Sequence, residues 1–120
     1  MGSYRTLLAY QKAFEVAMEV FEISKSFPPE EKYSLTDQIR RSSRSVCTNL
    51  AETYKRRRYK DYFVSRLNDS ETENAETQVW LYFSIACKYI TQGKYDVLTV
   101  KNDEVGKLTW YMINNPEKYL

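Results

Sequence analysis

Residues 30–58 read EEKYSLTDQIRRSSRSVCTNLAETYKRRR, and the fold turns on how this run is read. It contains neither Gly nor Pro. Its large apolar residues Leu35, Ile39, Val46 and Leu50 fall on one stripe when the chain advances 100° per residue. Arg40, Arg44, Lys55 and Arg58 fall on a second stripe, turned about 135° from the first. The spacing predicts one helix over 30–58, apolar toward a core and basic on another face.

The flanks predict three more helices. Before the run stands Phe27-Pro28-Pro29-Glu30-Glu31. Pro disfavours helical geometry in the residue before it, and Pro followed by acids suits a helix start. Upstream, residues 7–26 keep helical spacing. Tyr10, Phe14, Ala17 and Phe21 form one apolar stripe, Val16, Val20 and Ile23 a second beside it. This arc is wider than one facing helix covers. Either the helix is central in its bundle or a further subunit buries part of it. Residues 59–91 read as a third helix with large apolar groups at both ends. Between them runs NDSETENAETQ, a polar waist without Gly or Pro, and a loop at 68–72 is the alternative. Gly93 is expected to stop this helix. A fourth helix over 94–114 ends at Asn114-Asn115-Pro116, leaving a loosely held tail. Four helices with short connections predict an all-α, antiparallel up-and-down four-helix bundle, as one domain over 1–120.

Composition agrees and excludes much chemistry. With 120 residues, the chain suits one domain whose core needs no staple. Three Gly and three Pro are too few for an all-β fold of short strands. There is no His, which removes imidazole catalysis and His metal ligands, including a di-iron bundle. Cys47 and Cys87 form no CxxC pair and read as buried structural thiols. No Gly-rich phosphate loop is present. Glu15, Glu19 and Glu22 read as a solvated stripe, whereas Asp69, Glu71, Glu73 and Glu76 interrupt an otherwise apolar helix. No catalytic residue, metal or cofactor is expected, and the chain reads as non-enzymatic. Without a signal-length apolar run or a membrane span, the expected compartment is the cytoplasm, with both thiols reduced.

Charge is the uneven feature. Net charge is +2, yet nine of the 18 Lys and Arg residues fall within 32–60. Arg41 follows Asp37 by four residues and Arg56 follows Glu52 by four, an order that favours pairing. Arg40, Arg44, Arg57, Arg58 and Lys60 have no such partner in the preceding turn. In Tyr54-Lys55-Arg56-Arg57-Arg58-Tyr59-Lys60 cations alternate with rings. Cations contact phosphates and rings stack on unpaired bases. The plain alternative is that cations settle at a helix C-terminus and tyrosines fill a junction. Candidate nucleic-acid contacts are Arg40, Arg44, Lys55, Arg57, Arg58 and Lys60.

The run Gln38-Ile39-Arg40-Arg41-Ser42-Ser43-Arg44-Ser45-Val46-Cys47-Thr48-Asn49-Leu50-Ala51-Glu52 resembles the signature of the 23S rRNA intervening-sequence protein family, also called the four-helix-bundle protein family. Leu8-Ala9-Tyr10-Gln11-Lys12-Ala13, Phe27-Pro28, Tyr33-Ser34-Leu35 and Glu104-Val105-Gly106-Lys107-Leu108 support it, so the likeness spans nearly the whole chain. Two departures stand out. Thr53 replaces a frequent Gly, and Asp69-Ser70-Glu71 replaces a frequent Gly-Ser-Leu, making the waist more acidic. The resemblance implies bundles that assemble into closed rings, typically pentamers. Some members are encoded in insertions within bacterial rRNA genes. It also implies kinship with accessory proteins of diversity-generating retroelements, which bind nucleic acid through a basic surface. Arg40, Arg41, Ser42, Ser45, Val46, Asn49, Ala51 and Glu52 match the motif. Ser42, Ser45 and Asn49 are read as a polar side of helix two, away from Leu35 and Ile39, that meets a neighbouring subunit. Arg41 and Glu52 are expected to pair across that contact. The expected function is a homo-oligomer that binds nucleic acid, RNA slightly ahead of DNA. The alternative is a ring-forming scaffold or protein-interaction module without nucleic-acid binding.

Overall fold

The computed structural model describes residues 3–120. Four helices run in order: α1 Leu8–Ser24, α2 Leu35–Lys55, α3 Lys60–Ala86 and α4 Gln92–Asn114. Short 3-10 turns cover Tyr4–Thr6, Pro29–Glu31 and Pro116–Lys118, and the described residues contain no strand. Each helix packs on its neighbours in sequence and α1 packs on α4, while the backbones of the diagonal pairs stay apart. The long axis spans 44 Å, close to the ~40 Å that a helix the length of α3 reaches at 1.5 Å per residue. The result is an up-and-down four-helix bundle.

Its core is contributed by all four helices. Val20, Ile39, Leu50, Phe63, Leu67, Leu81, Leu98, Val105 and Met112 are essentially inaccessible to solvent. Helix α1 is not central. Its core side is Ala9, Ala13, Val16, Ala17 and Val20, while Phe14 and Met18 stay half exposed. The wide apolar arc is thus only partly covered by the chain itself.

The ends of α2 differ from the 30–58 reading. Residues 29–31 form a separate 3-10 turn, and Glu31 caps α2 from there. Its Oε1 accepts from Ser34 Oγ at 2.6 Å and from Leu35 N–H at 3.3 Å. At the other end Arg56 leaves helical geometry (φ −105°, ψ 26°), so Arg57 and Arg58 lie in the connection and Arg58 leaves the basic stripe. Thr53 pins this corner, its buried hydroxyl donating to Phe63 O at 2.6 Å. Thr53→Val keeps the shape and removes that donor. It should cost about 1–1.5 kcal/mol in urea unfolding.

Helix α3 is unbroken from Lys60 to Ala86, so 68–72 is helix and not a loop. The polar waist holds because its buried side chains find partners in α2 and α4. Ser70 Oγ donates to Val46 O at 3.1 Å, and Thr77 Oγ1 lies 2.9 Å from Ser42 Oγ. Asn74 Nδ2 donates to the carbonyl and side-chain oxygens of Asn102, at 3.1 and 2.9 Å. Gly106 fits this layer by lacking a side chain: a Cβ there would come within 2.9 Å of Asn74 Oδ1.

The stop of α3 is Lys88 and not Gly93, which lies inside α4. Lys88 is left-handed (φ 62°). Its N–H reaches Ile85 O and the N–H of Tyr89 reaches Ser84 O, both at 2.9 Å, the paired bonds of a Schellman end. A lysine there carries the left-handed penalty that glycine avoids. Lys88→Gly should therefore raise stability by about 0.5–1 kcal/mol in the same assay.

The C-terminal segment is also more firmly held than expected. Pro116 is buried, the Tyr119 ring stacks 6.4 Å from that of Phe63, and Lys60 Nζ meets Glu117 Oε1 at 2.8 Å.

Candidate nucleic-acid interface

Helix α2 sorts its arginines by what they meet. Arg41 faces α3, where its guanidinium bridges Glu73 and Glu76 at 3.3 and 3.2 Å. Glu52 also turns to α3 and takes Arg66 at 2.9 Å. Neither uses the partner four residues away that the sequence suggests. Ser42 is fully buried beside Ile39, contrary to the reading that set it away from the core face, and Asn49 is buried too. Ser45 is half-buried. The helix that comes close to Ser42 is α3 of the same chain, because small side chains let two backbones approach.

Arg40 and Arg44 lie on the opposite flank, toward α1. Arg40 Nε donates to Ser24 Oγ at 2.7 Å, and both guanidinium carbons stand over the Phe21 ring, at 5.0 and 5.8 Å from its centre. With Lys32, Tyr33 and Asp37 they border an open groove of about 640 Å³ on the outer side of α2. Arg44 is exposed, whereas Arg40 is half-buried and tied to α1.

The stronger cationic surface is the corner between α2 and α3. Among the described residues, Lys55, Arg56, Arg57 and Arg58 form no ion pair. Three of them lie over aromatic faces. Arg57 sits 3.7 Å from the Tyr54 ring centre, Arg56 5.8 Å from Tyr62 and Arg58 5.8 Å from Tyr59. A ring face steers a guanidinium without satisfying its N–H donors. The donors at the edge therefore stay available to an anion.

Lys60 departs from this pattern. Its hydrogen bond to Glu117, aided by that carboxylate's charge, holds its pKa above the ordinary lysine value. Two cations escaped the sequence reading. Arg56 is released because Glu52 prefers Arg66. Arg5 reaches the corner from the N-terminal turn, a tertiary contact that no local spacing announces.

Glu15 and Glu19 are not simply solvated: Lys101 Nζ bridges them at 2.7 Å each. That hydrogen bond lowers the Glu15 pKa and raises that of Lys101. Cys47 is buried, and burial pushes its thiol up to about 11, away from reactivity. Cys87, expected to be buried, is exposed. No group of three potential metal ligands occurs among the described residues, and no helix there is long and apolar enough to cross a membrane.

Comparison with known proteins places this geometry. The family model described as 23S rRNA-intervening sequence protein matches residues 5–110. One similar solved structure is a Bacteroides thetaiotaomicron protein of unknown function from the S23 ribosomal protein family. It is 28% identical, with a TM-score of 0.80 over 88% of this chain and 98% of that one. No curated protein matches the sequence. With nearly the whole bundle inside the matched region, the chain belongs to the 23S rRNA-intervening sequence protein family.

Proposed function

We propose that this protein is a non-enzymatic nucleic-acid-binding protein whose contact surface is the corner at the end of α2, extended along α2 by Arg44. One observation carries the reading: Lys55, Arg56, Arg57 and Arg58 follow one another around this corner without a carboxylate partner among the described residues, three of them steered by aromatic rings. Such a surface gives charge to phosphates and flat faces to unpaired bases. The family's description, 23S rRNA-intervening sequence protein, is compatible with an RNA-related role, and on that ground RNA is put ahead of DNA. Arg40 and Lys60 play smaller parts, since Ser24 and Glu117 already engage them.

The test is direct binding of the purified protein to labelled structured RNA and to duplex DNA at low salt. Binding to both, tighter for RNA, is expected. Absence of binding to either would replace this reading with the scaffold reading.

Self-association belongs to the same proposal. Phe14, Met18, Tyr82, Phe83, Val100 and Trp110 are large apolar residues left at the surface of the single chain. Exposed apolar groups on several faces suit contacts between copies. Trp80 Nε1 is buried without an acceptor at the groove it forms with Tyr33, Leu35, Gln38 and Phe83. Repetition of a weak basic surface around a closed assembly would raise its affinity by orders of magnitude. Phe83→Glu should lower the mass measured by light scattering. An unchanged oligomer mass would put the contact on another face.

A further inference from the structure

Where the N-terminal turn Tyr4–Thr6 meets the end of α2, a further groove opens, of about 370 Å³. Ser3, Tyr4, Arg5, Tyr54, Lys55 and Arg57 line it. Three of the six are cations, two are aromatic and none is acidic. Its size is at the small end of ligand pockets, about 300–1,000 Å³.

The turn that brings Arg5 here is fixed, not a loose tail. Ser3 Oγ accepts from Arg5 N–H at 3.1 Å, and Thr6 Oγ1 donates to Ser3 O at 2.8 Å. Gln11 of α1 donates to Arg5 O at 2.9 Å. Tyr10 holds Tyr4 edge-on, with ring centres 4.9 Å apart at 76°. On the α2 side the Arg57 guanidinium carbon stands 3.7 Å from the centre of the Tyr54 ring. The hydrogen-bonded N-terminal turn and the end of α2 thus present a charged, ring-bearing slot of one-nucleotide size.

We infer that this groove is a subsite for a single unpaired nucleotide of an RNA strand, with Arg5, Lys55 and Arg57 on its phosphate and Tyr4 beside its base. The inference rests on the nucleic-acid reading above and adds Arg5 to it. Three cations around one small volume match one phosphate with its charge-assisted hydrogen bonds. A base inside a duplex is stacked on both faces and cannot enter such a slot, whereas an unpaired base can lie against a tyrosine ring.

The test is an amide chemical-shift titration with two probes, an oligouridylate tetramer and a blunt, fully paired RNA duplex. Wild type and Arg5→Gln are compared. The tetramer should shift the amides of Ser3–Arg5 and Tyr54–Arg57. Arg5→Gln should weaken the tetramer about tenfold or more, the effect of removing one charge-assisted hydrogen bond, and weaken the duplex clearly less. Tetramer shifts that avoid these residues would overturn the subsite and leave the α2 surface standing. Equal weakening of both probes would do the same, reducing Arg5 to general charge. No shift with either probe would overturn both readings.

Discussion

Arg57→Glu/Arg58→Glu is expected to weaken binding of structured RNA by about a hundredfold or more at low salt, since hydrogen bonds to charged groups are worth about 1.5–3 kcal/mol each. Removing two such hydrogen bonds costs about 3 kcal/mol, and each 1.4 kcal/mol is tenfold. The new carboxylates add repulsion on top. The native fold should persist, with stability lowered by no more than about 1–2 kcal/mol. Both arginines lie in the connection between α2 and α3, outside the core. Within the protein itself the double change removes only the Arg57 stack on Tyr54 and the longer approach of Arg58 to Tyr59, each worth about 0.5–1 kcal/mol at an exposed site. Helix content and oligomer mass should therefore match wild type. Lys107→Glu makes the same kind of charge change on α4, where Lys107 pairs with Asp103 and, among the described residues, with no other acid. Its effect should stay within about threefold: the adjoining Gly106 lies beside Asn74, well along α3 from its start at Lys60 and so about 20 Å from the corner at 1.5 Å per residue, and exposed charges that far apart are largely screened. If Lys107→Glu and the Arg57/Arg58 variant weaken RNA alike, binding follows net charge and no surface is specified.

Asn102→Leu should destabilise the bundle by about 2–3 kcal/mol, because buried polar groups left without partners cost about 1–3 kcal/mol. Asn102 Nδ2 donates to Asn74 O at 3.2 Å and to Gln78 Oε1 at 3.3 Å, and its Oδ1 accepts from Asn74. Leucine supplies none of these. Asn74 Nδ2 keeps only the Asn102 carbonyl, and the Gln78 oxygen loses its donor. Asn74→Leu/Asn102→Leu should cost less than the sum of the two single changes, since removing both ends of a buried bond leaves fewer orphans. Strict additivity in urea unfolding would mean that the two asparagines act separately. Gly106→Ala probes the same layer from its other side. The new Cβ pushes Asn74 Oδ1 off its position, which should cost about 1 kcal/mol net of alanine's better helix propensity.

Much of the fold was legible because its rules are local. The stripe Leu35, Ile39, Val46 and Leu50 is buried as spacing alone requires. Pro28 and Pro29 break the chain where their geometry says they must. What periodicity could not supply was the identity of partners. Ser42 and Asn49 read as polar and hence outward, yet Ser70, Thr77 and Asn102 make the bundle interior itself polar at its waist. That information lies in α3 and α4, not in α2. The ion pairs follow the same logic: spacing offered Asp37 to Arg41, and packing gave it Glu73 and Glu76. The left-handed Lys88 gave no signal, since glycine is the residue the motif normally displays. Of the candidate cations, Arg57 and Arg58 were legible as a run beside tyrosines. Arg5 was not, because it arrives from 50 residues away in sequence.

The most direct measurement is the affinity of the wild-type protein for structured RNA as a function of salt. Each phosphate neutralised by Lys or Arg contributes a slope of about −0.7 to −0.9 in log K against log salt. A corner using its four unpaired cations predicts about −3 per subunit engaged. A slope that steep, lost in Arg57→Glu/Arg58→Glu, is the expected result. Binding that ignores salt, or no binding at the lowest salt, would contradict the account and leave the basic corner as a contact between proteins.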